Sequence, residues 1–153
     1  VLNFVLVHGS WHGAWCWRKL TPYLERAGYR VTAVSLPGRG GDPTPADQIS
    51  LDHYINCVLD AATDADRRNV LVGHSMGGMT IAGAAEMAPE KFAASIFITA
   101  YLPCSGDTLM DLSARYGPNP KLLQTLSDPV EGGRFRLREG CAPDLFYHDC
   151  GQD

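Results

Sequence analysis

The chain has 153 residues, 45% of them apolar, and a formal net charge of −4, enough for one ordinary core and too little for two large domains. Its basic residues are scattered, with Arg67-Arg68 and a loose RFRLR at 134–138, which argues against nucleic acid as a partner and against an anionic membrane surface. No apolar run approaches the roughly 20 residues of a spanning helix, so no membrane partner is expected.

The first element is VLNFVLVHG. It has neither the basic region nor the small-residue cleavage site of a signal peptide, and the missing initiator Met is read as a few residues trimmed or not included. Asn3 to Val7 is a continuous apolar run of β-formers stopped by His8-Gly9, the pattern of a strand buried on both faces. Trp15 to Ala27 carries Cys16, Leu20, Tyr23, Leu24 and Ala27 at helical spacing, and Gly28 is a stop signal. Tyr29 to Leu36 reads as a second strand, ended by Pro37-Gly38. GRGGDPTPAD, 38–47, is too rich in Gly and Pro for anything but loop.

Ser50 is placed to cap a helix through about Ala65, with Tyr54, Val58 and Ala61/Ala62 along one side. Val70 to Val72 is the third strand, Met76 to Met87 a helix ended by Pro89, and Ala93 to Ala100 a fourth strand. The order β-α-β-α-β-α-β, with connections long enough for crossovers, predicts a parallel sheet with helices on both faces. After Tyr101 the character changes. PCSGDTLMDLSARYG reads as a short amphipathic helix, RFRLRE as a short strand and CAPDLFYHDC as another short helix. Residues 1–103 are therefore expected to form the core, and 104–153 the start of a lid.

Five cysteines (Cys16, Cys57, Cys104, Cys141 and Cys150) form an odd, widely spaced set without a CxxC pair. That disfavours a disulfide framework or zinc site and suggests a reducing compartment, the cytoplasm. No pair of histidines with a carboxylate shows metal-ligand spacing, so no metal is expected.

Gly73-His74-Ser75-Met76-Gly77 fits G-x-S-x-G with a strand before and a helix after, the context that motif needs. A serine held on a very tight strand-to-helix turn occupies strained backbone, and its neighbours two residues away must be nearly free of side chain for the turn to close. The hydroxyl is then exposed at the carboxyl edge of the sheet, and the Met76 N–H opens the helix where the dipole favours negative charge. The blander alternative is a Gly-rich helix cap. HGSWHGAW, 8–15, follows the first strand, where such an architecture needs a loop that gives a second oxyanion-hole N–H; Ser10 is best placed to supply it.

FVLVHGSWHGAWCWRKLTPYLERAGYRVTAVSLPG, VLVGHSMGGM and AASIFITAYLP together resemble the plant methylesterase and hydroxynitrile lyase group of the α/β-hydrolase superfamily, and bacterial esterases similar to it. The resemblance covers residues 3–103 and fades beyond, although LFYHDC looks like the group's lid helix. It implies Ser75 as nucleophile, the Ser10 and Met76 N–H groups as an oxyanion hole, and His74 and Trp11 as pocket lining. The pocket loop offers Trp11 and Met76 and little charge, which points to a small apolar or aromatic ester as partner; no cofactor is needed, and a homodimer is left open. The group's lyases carry Thr at the position of Gly9 and Glu at that of His74, so both positions here favour an esterase. A binding protein that keeps the elbow without turnover is the rival from another class.

The group's core sheet has six parallel strands, and four are countable here. The missing two would carry the acid and base that activate the serine, so neither is expected within this chain. His148 is the one histidine after Ser75, with Asp107, Asp111, Asp128 and Asp144 between them. It is expected in a short lid helix rather than in a loop after a strand, which argues against a role as base. His8 and His12 are expected to brace the 8–15 loop, and His53 to lie at the surface.

Overall fold

The computed structural model describes residues 1–63, 68–117, 127–130 and 134–151. Two compact units divide the chain, Val1–Leu112 and Ser113–Asp153.

In the first unit, β1 (Asn3–Val7), β2 (Arg30–Val34), β3 (Asn69–His74) and β4 (Phe92–Ile98) form one sheet in the order β2-β1-β3-β4. All three pairings are parallel, as the alternation of strand and helix patterns predicts. β1 and β3 are central, in a register that sets Val7 opposite Gly73. Neighbouring residues of a strand point to opposite faces, and the two faces are covered separately. Val5, Val7 and Leu71 pack with Tyr54, Ile55 and Val58 of α2 (Leu51–Ala61) and with Ile81 and Ala84 of α3 (Gly77–Met87). Leu6, Val70 and Val72 pack on the other side with Trp17, Leu20 and Leu24.

Ser50 caps α2 as expected: its hydroxyl accepts the His53 N–H, and the His53 ring accepts the Ser50 N–H in return. α2 ends at Ala61, and the stretch expected to carry it to Ala65 falls partly on residues outside those described. The helix expected over Trp15 to Ala27 is instead two pieces, a 3-10 turn over Ala14–Trp17 and α1 (Thr21–Arg26). Pro22 is the reason. It has no N–H to give to Arg18 and its ring would strike that carbonyl, so it fits only in a first helical turn.

α4 (Leu109–Tyr116) leads out of the first unit. In the second, β5 (Ser127–Val130) and β6 (Arg134–Leu137) pair as an antiparallel hairpin. The sequence pattern predicts β6 and not β5, whose SDPV contains a proline. α5 (Cys141–Phe146) follows. His148, expected inside that helix, lies in the turn after it, because the helix stops at the Tyr147 C-cap.

Candidate active site

β1 leads by way of α1 to β2 on one side of the sheet, whereas β3 leads by way of α3 to β4 on the other. Chain direction therefore diverges between β1 and β3, and in open parallel sheets the crevice outside the carboxyl ends of such a pair is where ligands bind. His8 to Gly13 leaves β1 there, and Ser75 leaves β3.

Ser75 sits at φ +54°, a left-handed conformation that costs a non-glycine residue about 1–3 kcal/mol unless its surroundings enforce it. The enforcing contacts are identifiable. A Cβ on Gly73 would lie 2.8 Å from Ile81 Cδ1 and 2.9 Å from the Gly77 carbonyl oxygen, and one on Gly77 would lie 2.7 Å from the Val7 carbonyl oxygen. Both glycines of the motif are required because helix α3 starts directly against the ends of β1 and β3.

The loop after β1 closes on this elbow. A Cβ on Gly9 would lie 2.8 Å from Ser75 Cβ and 3.2 Å from His74 Nδ1. Ser10 Oγ donates to Met76 Sδ at 3.5 Å. His8 is fully buried; its Nε2 accepts the Leu36 N–H at 3.1 Å and its Nδ1 lies 2.8 Å from the Gly9 carbonyl oxygen. Since a carbonyl only accepts, the proton is on Nδ1 and the ring is neutral. Burial is the main cause holding the His8 pKa below its ordinary 6.5; the Gly9 bond opposes this, and Arg39, His12 and His74 add to the lowering. His12 donates from Nδ1 to the Ser10 carbonyl at 2.8 Å and stacks on Trp15. Trp11, between the two braced residues, is held at φ +60°.

His74 is partly buried beside Ser75, its ring 6.5 Å from that of His12 in an edge-on arrangement. Burial, followed by the nearby His12, lowers its pKa, which favours the neutral ring. Among the described residues, neither the Ser10 nor the Met76 N–H is spent on a backbone bond. The structure thus brings Ser10, His74, Ser75 and Met76 together where the loop after β1 meets the end of β3, with Trp11 on the same loop.

Ser75 Oγ makes no hydrogen bond among the described residues. His148 belongs to the second unit. No three His, Cys, Asp or Glu side chains among the described residues could hold a metal, and no helix there is long and apolar enough to cross a membrane. Two features escape sequence reading. Gly78, outside the motif, would press a Cβ onto the Tyr101 carbonyl, and the Tyr101 N–H bonds to the Ser75 carbonyl at 3.1 Å.

A parallel sheet with a strained serine between β3 and α3 defines the class, and residues 4–152 match the alpha/beta hydrolase family. The chain belongs to that family. It is 42% identical over 124 residues to the probable esterase PIR7A of Oryza sativa subsp. indica, covering 76% of this chain and 47% of that one. Methylesterase 1 of Arabidopsis thaliana is also 42% identical, over 121 residues, with 76% and 46% covered. Among solved structures, a pyrethroid hydrolase from Sphingobium faniae superposes with a TM-score of 0.83 at 30% identity, covering 97% of this chain and 61% of that one. Polyneuridine aldehyde esterase gives 0.70 at 36%, with 80% and 50% covered. The chain spans about half the length of the curated relatives it matches.

Proposed function

We propose that this chain carries the nucleophile and oxyanion hole of a serine carboxylesterase that hydrolyses a small apolar or aromatic ester. The observation that carries the reading is Ser75 at φ +54°, pressed against Gly9 of the preceding loop. Ser75 Oγ attacks the ester carbonyl, and the Ser10 and Met76 N–H groups hold the oxyanion. The alcohol leaves, and water then cleaves the acyl-enzyme. Each oxyanion donor is worth about 3 kcal/mol in the transition state. The acid and base that activate the serine come from outside residues 1–153, a reading supported by a Ser75 hydroxyl with no hydrogen-bond partner among the described residues. His74 and Trp11 line the acyl pocket, where a neutral imidazole and an indole suit an uncharged ester. Relatives named esterase and methylesterase support the same reading. Gly9 and His74 weigh against cyanohydrin cleavage, because the related lyases carry a threonine and a glutamate at those positions, polar groups that serve the cyanohydrin hydroxyl and the leaving cyanide.

The test is hydrolysis of a short-chain nitrophenyl ester by the complete protein. Ser75→Ala should abolish turnover while leaving the unfolding midpoint nearly unchanged. Full activity in that variant would remove Ser75 from the role.

A further inference from the structure

The Ser75 carbonyl accepts two hydrogen bonds, from the Gly78 N–H and the Tyr101 N–H, each at 3.1 Å. The first closes the opening turn of α3 and belongs to any helix start. The second arrives from another element, the segment that follows β4. Three features show that this crossing is built in. Thr99, just past the end of β4, is held at φ +40°, a left-handed conformation that a β-branched residue resists. Gly78 has no side chain at the point where the Tyr101 carbonyl passes, and a Cβ there would also come within 3.0 Å of Ala100 Cβ. The pairing of β3 with β4 runs to His74 and Ile98, so the turn begins directly beside the elbow.

The consequence follows from peptide geometry. The Ser75 carbonyl and the Met76 N–H belong to one peptide group, which is planar and trans, so they point in opposite directions. Whatever fixes the carbonyl therefore aims the N–H. A donor on the carbonyl also polarises the group and makes its N–H a better donor. We propose that the Tyr101 backbone N–H, delivered by the strained turn at Thr99, positions and polarises the Met76 N–H as an oxyanion donor. Thr99 and Tyr101 are positioning residues; neither has to touch substrate. The inference deepens the proposed function and rests on it.

The test removes one hydrogen atom's worth of chemistry in the complete protein. Tyr101 is replaced by its α-hydroxy acid, which turns the backbone amide into an ester, keeps the phenol side chain and eliminates the donor. The expected result is a fall of about fivefold in kcat, the ordinary worth of one neutral hydrogen bond. The affinity for a trifluoromethyl ketone, which places an oxyanion in the hole, should fall by the same factor. KM and the fraction of protein that a fluorophosphonate can titrate should stay unchanged. Thr99→Pro, whose ring fixes φ near about −65°, should lower kcat at least as far.

Unchanged kcat and ketone affinity in the ester variant would overturn the proposal, as would equal losses in KM and in the titratable fraction, which a general loosening of the fold produces. Failure of the underlying function is distinguishable, because Ser75→Ala would then remain active and the ketone would not compete with substrate.

Discussion

Gly9→Ala tests the contact between the first loop and the elbow in isolation. Gly9 has an ordinary negative or extended φ, since it is absent from the residues at positive φ, so alanine meets no backbone penalty there. What it meets is Ser75. The added Cβ would lie 2.8 Å from Ser75 Cβ and 3.2 Å from both His74 Nδ1 and the His74 carbonyl oxygen, whereas ordinary van der Waals contact begins at 3.4 Å. The gap must open by about 0.6 Å, and neither wall yields easily: one is a strained elbow on a central strand, the other a loop pinned through His8 and His12. Overpacking of this kind costs about 1–3 kcal/mol in stability. Displacement of a reacting atom by a fraction of an ångström to 1 Å costs up to about 10²-fold in rate. The expected outcome is therefore a ten- to hundredfold lower kcat on a nitrophenyl ester, with a modestly reduced unfolding midpoint in urea. Wild-type kcat and midpoint together would show that the loop and elbow do not meet as described.

Two predictions concern stability. Thr80 Oγ1 is buried on α3 and has no hydrogen-bond partner among the described residues, so Thr80→Val, which keeps the shape, should stabilise the protein by about 1 kcal/mol; a lower midpoint in chemical denaturation would contradict this. His8 is held neutral, with its pKa below the ordinary 6.5. The unfolded chain then binds more protons than the folded one as pH drops below 6.5, and stability must fall with pH through that window. Unfolding midpoints measured from pH 7 to 5 should decline less steeply in His8→Gln than in the parent, and identical slopes would remove His8 as the source.

The legible parts of this fold were those written in strong local patterns. β1 shows as an unbroken apolar run, Ser50 as a cap, and the elbow as two glycines flanking a serine between a strand and a helix. The helix expected over 15–27 breaks in two because apolar spacing carries no information on backbone donors, and Pro22 removes the one that continuity needs. β5 is not legible because a proline demotes a strand in sequence, while at a short strand edge its missing N–H costs little. In the site, His8 and His12 could be assigned to the loop from position alone. Thr99 and Tyr101 could not, since a β-branched residue at positive φ and a backbone N–H crossing to another strand's end leave no mark in residue type. Gly78 left a mark without a meaning: a third glycine is visible after the motif, but its reason is a carbonyl that arrives from beyond β4.

The central claim is that Ser75 is an activated nucleophile, and the most direct measurement is mass spectrometry of the complete protein after brief exposure to a fluorophosphonate probe. The account predicts a single phosphonyl adduct on the peptide containing Ser75, formed in minutes and absent from Ser75→Ala. An unmodified protein, or an adduct on any other residue, would contradict it.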